Sequence, residues 1–305
     1  MAGCDTGDGL HDVDPTHITP EKMEIMQFAP PGDLAAYVTQ IYFFRCEEEH
    51  IQDFQPASLG HLVFLLSGTG HLRFHDGHID TLPRVAIFGP RTAAAEFTFT
   101  GPVYDFGLAL SPLGFVALTG KAANNYADRA VAAADIFGPE IDHLAERFHG
   151  GLTDGNMRLV QMVDAVSAFL LARVQKVPPR HIDLIRRVTD WLSSNFDPYV
   201  DDLYSELTMS RSTAARLITR YFGSPPKPLM RKYRALRAAS VLCDPACTPE
   251  LRARIESLFY DQPHMIREIR HFAGRTPGVL GGDDCNILRL WLSRDNYRDL
   301  EAYPG

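Results

Sequence analysis

No stretch of the 305-residue chain approaches the ~18 consecutive apolar residues that a membrane-spanning helix needs. Its opening residues, MAGCDTGDGLHDVDPTHITP, lack the basic-then-apolar order of a secretory leader. Cysteine is scarce and odd in number, with Cys4, Cys46, Cys243, Cys247 and Cys285 at no framework spacing. These absences argue against a membrane protein and against a disulfide-stapled secreted scaffold, so the expected location is the cytoplasm. An excess of basic residues is also missing, since the formal net charge is −8. What is present, 45% hydrophobic and 22% charged residues, is the composition of an ordinary soluble globular protein, and the length suffices for two domains with cores of their own.

The negative total hides an uneven distribution. Residues 1–177 carry 11 Lys+Arg against 22 Asp+Glu, whereas residues 178–282 carry 16 against 11. An acidic front and a mildly basic back confine any contact with a polyanion to the back. A balance of +5 is equally compatible with a merely solvated surface.

Residues 1–20 are polar, acidic and punctuated by Gly and Pro, which predicts a mobile tail. Strand-like runs follow: Val38–Phe44, His61–Leu66 ending at Ser67–Gly70, His71–His75 turning at Asp76–Gly77, Val85–Phe88, Glu96–Phe99 and Tyr104–Leu110. Short strands with turns between them predict an antiparallel sandwich or barrel over about residues 25–112. Helical patterns take over after Pro112, at Gly114–Thr119, Ile136–Phe148 and Met157–Val174. In the last of these Leu159, Val160, Val163, Val166, Leu170, Leu171 and Val174 form a wide apolar face, which reads as core packing or as the seam of a homodimer. Lys176–Val177–Pro178–Pro179–Arg180 reads as a linker. Beyond it, helices are predicted at Ile182–Phe196, Asp201–Leu207, Arg211–Phe222, Leu229–Leu242, Pro249–Leu258, Pro263–Phe272 and Ile287–Leu300.

Two helix pairs stand out in this back half. Ser210 opens and Gly223 closes an amphipathic helix whose exposed face carries Arg211, Arg216 and Arg220. A short helix at Asp201–Leu207 precedes it, which together suggests a helix-turn-helix. The second pair starts at Thr248–Pro249 and ends in a helix capped by Asp261, with Pro263 early inside it and Gly274 after it. Met265, Ile269 and Phe272 lie on one side of that helix; Gln262, His264, Arg267, Arg270 and His271 can face out.

Gly223–Ser224–Pro225–Pro226 with Leu229, Arg234, Ala238 and Leu242 resembles the first-half signature of the AraC/XylS family of transcription regulators. Phe259–Tyr260–Asp261–Gln262–Pro263–His264–Met265–Ile266–Arg267–Glu268 with Gly274–Arg275–Thr276–Pro277 resembles the family's more specific second-half signature. The resemblance covers residues 180–280. It implies an α+β chain of two domains: an N-terminal β-sandwich or cupin-like barrel with helices, and a C-terminal all-α domain of seven helices with two helix-turn-helix units. The corresponding boundaries are a tail at 1–20, a β-rich sensor at 21–176, a DNA-binding domain at 177–282 and a helical extension at 283–305.

Carried over residue by residue, the resemblance offers Arg211, Ser212, Ala215 and Arg216 of the first reading helix to base edges, and Gln262, Pro263, His264 and Arg267 of the second. The chemistry suits the arginines and Gln262, which can bond guanine and adenine bidentately. Arg220, Lys227, Arg231, Lys232 and Arg270 read as phosphate contacts. Two alternatives stay open: Arg216 pairs with Asp202, and His264 only caps or packs. The pattern departs from the family at Tyr204, Thr208, Ala214, Arg254, Ser257 and Leu258. Leu258 replaces a turn glycine, and a left-handed turn there would cost ~1 kcal/mol, weakening or tilting the second unit.

Three further features compete for a role. His61, His71, His75 and His78 invite a metal, but their spacing lacks the clustered His-x-His and downstream glutamate of metal-binding cupins, and neither metal nor cofactor is expected. Among the strand aromatics Tyr42, Phe44, Phe64, Phe74, Phe88, Phe97, Phe99 and Tyr104, the residues Phe64, Phe74, Phe88, Phe97 and Tyr104 are candidates to line a small-ligand pocket, with plain core as the alternative. Cys243 and Cys247 read as a redox pair or as unremarkable thiols. The expected function is a sequence-specific transcription regulator without catalytic residues. Its expected partners are double-stranded DNA, a small effector and, by the resemblance, RNA polymerase, and activation is the sign the resemblance implies. The rival reading is a cupin-type metal-dependent enzyme with an accessory helical domain.

Overall fold

Among the described residues eight strands form one antiparallel sheet: β1 (Met23–Phe28), β2 (Val38–Cys46), β3 (His50–Gln55), β4 (Gly60–Arg73), β5 (Ile79–Thr81), β6 (Val85–Phe88), β7 (Ala95–Leu110) and β8 (Ala130–Ala132). The computed structural model describes residues 22–244, 246–280 and Trp291. The tail expected at 1–20 and, Trp291 apart, the helix expected at Ile287–Leu300 lie outside the described residues. The strand order is β1-β2-β7-β4-β6-β8, with β3 added to β7 and β5 to β4.

The sheet is organised by two long strands where the sequence pattern suggests four short ones. Ser67–Gly70 is no turn: β4 runs through it, with register shifts against β7 between Leu65 and Thr69. β7 likewise continues through Gly101–Pro102. Gly68, at φ +83°, lies against the carbonyls of Thr100 and Pro102, where a β-carbon would come within 2.9 Å of the Thr100 oxygen. A glycine at this bulge lets both strands bend at one level, so the sheet folds over on itself into a barrel-like half-shell. The expected hairpin at Asp76–Gly77 is present, with Gly77 at φ +83° and the Phe74 amide donating to the His78 carbonyl at 2.8 Å.

Period-two alternation divides the strand side chains between two buried faces. Phe43, Leu62, Phe64, Ile87, Phe106 and Leu108 point outward under the helices, where Phe148 meets Phe64 and Phe106 with ring centroids 5.2 and 5.6 Å apart. Tyr42, Phe44, Leu65, Phe74, Phe88, Phe97 and Phe99 point into the folded sheet. Burial on both faces explains why these strands read as nearly continuous apolar runs.

The helices covering the sheet are α1 (Pro112–Thr119), α2 (Ala134–Phe137), α3 (Glu140–Thr153) and α4 (Leu159–Leu171), with a 3-10 turn at Ala123–Asn125. Gly138, at φ +81°, separates α2 from α3, so the single helix expected at Ile136–Phe148 is two. On α4, Val163, Val166 and Leu170 are buried in the core, while Val160 is 47% exposed.

The helices that follow, up to residue 280, are α5 (Pro179–Ser194), α6 (Val200–Glu206), α7 (Arg211–Phe222), α8 (Pro226–Cys243), α9 (Pro249–Glu256), α10 (Gln262–Ala273) and α11 (Pro277–Leu280). The core under the sheet continues without a break into Leu217, Ile218 and Phe222 of α7 and Leu229 of α8. The last turns of α8 with α9, α10 and α11 form a separate core around Leu236, Leu242, Ile255, Ile269 and Phe272. The first helix pair is therefore built into the β-rich part, and the second is docked onto it.

Candidate nucleic-acid interface and effector cavity

Local chemistry sets both α7 and α10, the second helix of each pair. The Ser210 hydroxyl accepts from the Thr213 amide at 3.3 Å, and Gly223 closes α7 at φ +80°, its amide donating to Thr219. Asp261 accepts from the His264 amide at 2.7 Å, and Gly274 closes α10 at φ +83° with a bond to Arg270. Thr248 caps α9 through the Leu251 amide. The turn before α10 carries no left-handed residue: Leu258 and Phe259 donate to Ile255 and Glu256 in right-handed turns, and the only positive φ outside glycine among the described residues is at Asp128. The strain expected from Leu258 is absent, because the chain leaves α9 by a right-handed path.

Ser212, Arg216 and Arg220 on α7, and Gln262, Pro263 and Arg267 on α10, stand on open faces. Ala215 and Arg270 are half-buried. Arg211 is engaged within its own helix pair: its guanidinium lies 2.8 Å from Asp201 and 5.0 Å over the Tyr204 ring. The ion pair across this helix pair is thus Arg211 with Asp201, not the pairing of Arg216 with Asp202 considered from the sequence. His264 packs rather than projects, its ring 6.1 Å from that of Phe259 and its Nε2 3.4 Å from Glu268.

Glu268, buried on α10, is a residue whose part the sequence did not reveal. Burial opposes its charge, but bonds from Arg231 at 2.5 Å and Arg234 at 2.6 Å outweigh that and hold the carboxyl below its usual range. Arg234 also reaches Asp197 at 3.0 Å. This network braces α8 against α10 and against the loop before α6, fixing one helix pair relative to the other. Arg231 is thereby occupied, and Lys232, expected at a phosphate, is 3% exposed and turned inward, so it cannot reach a backbone outside. Buried ionic networks of this kind hold geometry more than they add stability.

The second pair docks on the sheet through the end of α10. Ala57 and Ala94 donate their amides to the carbonyls of Phe272 and His271, both at 2.8 Å. Arg275 pairs with Asp53 at 2.9 Å, both buried. A β-carbon on Gly274 would lie 2.4 Å from Phe54.

Between the sheet and these helices lies a cavity of about 480 Å³, bordered by Gln40, His61, Arg91, Ile185, Phe222 and Lys232 among others. A smaller one of about 30 Å³ lies within the folded sheet, beside Tyr42, Phe88 and Asp105. None of the five aromatics expected around a ligand borders the larger cavity. Phe64 faces the helices, Phe74 and Phe97 are core inside the sheet, and Phe88 touches only the smaller space. Tyr104 sits near the surface, donating its hydroxyl to Glu47 at 2.8 Å. Polarity inside is sparse and perturbed. Burial, with Arg91 and Lys232 nearby, pushes His61 down to about 3. Burial alone lifts Asp105 to about 8, and its Oδ1 has no partner among the described residues.

The four strand-region histidines do not converge. His61 and His71 lie at opposite ends of β4, and His78 pairs with Asp80 at 2.6 Å. No group of three or more His, Cys, Asp or Glu suited to a metal occurs among the described residues. No helix among them is long and apolar enough to cross a membrane.

Residues 26–132 match the model of a domain of unknown function (DUF6597), a stretch that spans the sheet and stops before both helix pairs. No curated protein sequence matches the chain. Among solved structures, ToxT from Vibrio cholerae O395 is similar over 85% of this chain and 97% of its own, at 10% identity and a TM-score of 0.43. Unsaturated fatty acid-bound ToxT from Vibrio cholerae strain SCE256 is similar over 85% and 94%, at 10% identity and a TM-score of 0.42. CuxR, an AraC-like transcriptional activator, is similar over 78% and 86%, at 10% identity and a TM-score of 0.26.

Proposed function

We propose that the chain is a sequence-specific DNA-binding transcription regulator of the AraC/XylS type, with residues 177–282 as the DNA-binding domain and 21–176 as the sensor. One observation carries the reading: two capped, glycine-closed helices, α7 and α10, each present an open arginine-bearing face at the end of a helix pair, and α8 holds the pairs together. The 18 residues of α8 extend about 27 Å, of the order of the ~34 Å between successive major-groove segments on one side of the duplex.

Arg216 and Arg267 are the base-reading arginines, with Ser212, Ala215, Gln262 and Pro263 beside them. Arg220, Lys227 and Arg270 position the protein on phosphates. Arg211 joins the base contacts only by giving up Asp201, and His264 supports the helix rather than reading from it. A small effector acts from the sensor side, and activation through RNA polymerase in the cytoplasm is the sign we favour. Val160 is the one strongly exposed apolar residue on the α4 face, so a homodimer through that seam would rest on a narrow contact.

The test is a gel shift of the full chain on the DNA upstream of its own gene, titrated with salt. Specific binding that falls linearly in log–log form with salt supports the reading. Equal affinity for that DNA and for random duplex rejects it.

A further inference from the structure

One aromatic side chain reaches the folded sheet from beyond both helix pairs. Trp291 packs on the core inside the sheet, its ring centroid 5.8 Å from that of Tyr42 at 84° and 6.2 Å from that of Phe44 at 36°. Edge-on and tilted ring contacts at such distances stabilise beyond the apolar area they bury. The surface that receives the indole is built by β2 and β7. Tyr42 pairs in register with Gly107, where a β-carbon would come within 2.1 Å of the phenol ring. Glycine at that position lets the ring lie across β7, the close approach that a glycine within a strand permits. Trp291 also borders both cavities, so the indole stands between the space inside the sheet and the space under the helices.

The path of the chain gives this contact its meaning. Leu280, at the end of α11, is buried in the core of the second helix pair, and Trp291 follows it by eleven positions in the sequence. The run Ile287–Leu288–Arg289–Leu290–Trp291–Leu292 holds five apolar residues in six, a composition suited to cover rather than to open solvent. The links already described between the second pair and the sheet are of another kind. They lie at the end of α10 and are polar: two backbone hydrogen bonds, from Ala57 to Phe272 and from Ala94 to His271, and the Arg275–Asp53 pair.

We propose that the inner surface of β2 at Tyr42 and Phe44 is a docking site for the chain's own C-terminal segment, with Trp291 as the anchor, and that this strap holds the second helix pair against the sheet. The inference rests on the regulator reading for its consequence alone: the arginine-bearing face of α10 is kept in one pose relative to α7. The polar junction fixes where α10 ends on the sheet, and Trp291 ties the chain leaving α11 to the same sheet. Removing the anchor leaves the polar junction in place, so the second pair loosens without unfolding. The first pair shares the core under the sheet and is unaffected.

The experiment is amide hydrogen exchange of the full chain, without DNA, read by mass spectrometry on the native, Trp291→Ala and Trp291→Phe proteins. Trp291→Ala speeds exchange in α9, α10 and α11 by at least ~5-fold, the factor that two ring contacts of ordinary strength supply, and leaves α5 and α7 unchanged. Trp291→Phe, which keeps a ring against Tyr42 and Phe44, stays close to the native chain. Trp191 and Trp291 are the two tryptophans of the sequence, so Trp191→Phe makes Trp291 the sole indole emitter. Its emission is blue-shifted and shielded from acrylamide relative to the same chain in urea. Unchanged exchange in Trp291→Ala, faster exchange spread equally over both helix pairs, or an indole as open to acrylamide in buffer as in urea overturns the proposal. Protection of α9–α11 that grows with protein concentration also overturns it, because the indole would then come from a second copy of the chain. DNA takes no part in these measurements, so failure here leaves the regulator reading standing and failure of the gel shift leaves this result intact.

Discussion

Replacing Arg275 with methionine removes the charge that faces Asp53 across the junction between the sheet and the second helix pair. Arg275 and Asp53 are 7% and 2% exposed and 2.9 Å apart, and they are separated by 222 positions in the chain. Asp53 also accepts from the Phe54 amide at 2.7 Å, so one of its bonds survives the change. Truncating one partner of a buried ion pair costs ~3–5 kcal/mol, because the other charge is left in a low dielectric. Burial already raises the Asp53 carboxyl above its ordinary value even with Arg275 lowering it, and losing Arg275 raises it further. The sign follows from linkage: an acid whose folded pKa exceeds its unfolded one makes stability fall as pH rises through the interval between the two. Arg275→Met should therefore lose most stability at neutral pH and recover toward pH 4. Asp53→Asn combined with Arg275→Met should recover much of the loss, because no buried charge remains. Urea denaturation followed by circular dichroism at pH 4.5 and 7.5 measures each corner of the cycle. A loss below ~0.5 kcal/mol in Arg275→Met, or independence of pH, would refute the claim that this pair clamps the second unit to the sheet.

Two other substitutions probe the same account. Gly274→Ala puts a β-carbon at φ +83° and 2.4 Å from Phe54; the left-handed backbone costs ~1 kcal/mol and the overlap ~1–3 kcal/mol more, read as a lower urea midpoint. Asp105→Asn removes a carboxyl that burial lifts to about 8, so it should stabilise the protein at pH 7 by ~2–4 kcal/mol and flatten the fall in stability between about pH 4 and pH 8, as thermal melts across that range would record.

Much of the helical half was legible because its signals are local. Ser210, Thr248 and Asp261 cap helices, and Gly223 and Gly274 end them, as their residue types require. The sheet was legible in kind but not in connection. Ser67–Gly70 and Gly101–Pro102 carry turn residues, yet each is a bend within one strand, and only the partner strand passing at Gly68 distinguishes a bulge from a turn. The cavity was not legible at all. Aromatics on strands suggested a pocket, whereas the larger space opens where Gln40, His61, Phe222 and Lys232 meet from distant parts of the chain. Lys232 lies in a run of basic residues in sequence, and nothing local separates it from the exposed Lys227 or the half-buried Arg231. Glu268 shows the same limit, since the two arginines that hold it, Arg231 and Arg234, reach it only by the packing of α10 on α8.

The central claim is that two arginine-bearing helices read adjacent stretches of one face of DNA. Hydroxyl-radical footprinting on the upstream DNA, with the native chain and with Arg216→Ala and Arg267→Ala, tests it most directly. The account predicts two protected stretches about one helical turn, roughly 10 base pairs, apart. Each variant should weaken specific binding by ~1–3 kcal/mol and thin the protection in one stretch only, a different one for each. A single protected stretch, or two variants that bind and protect like the native chain, would contradict it.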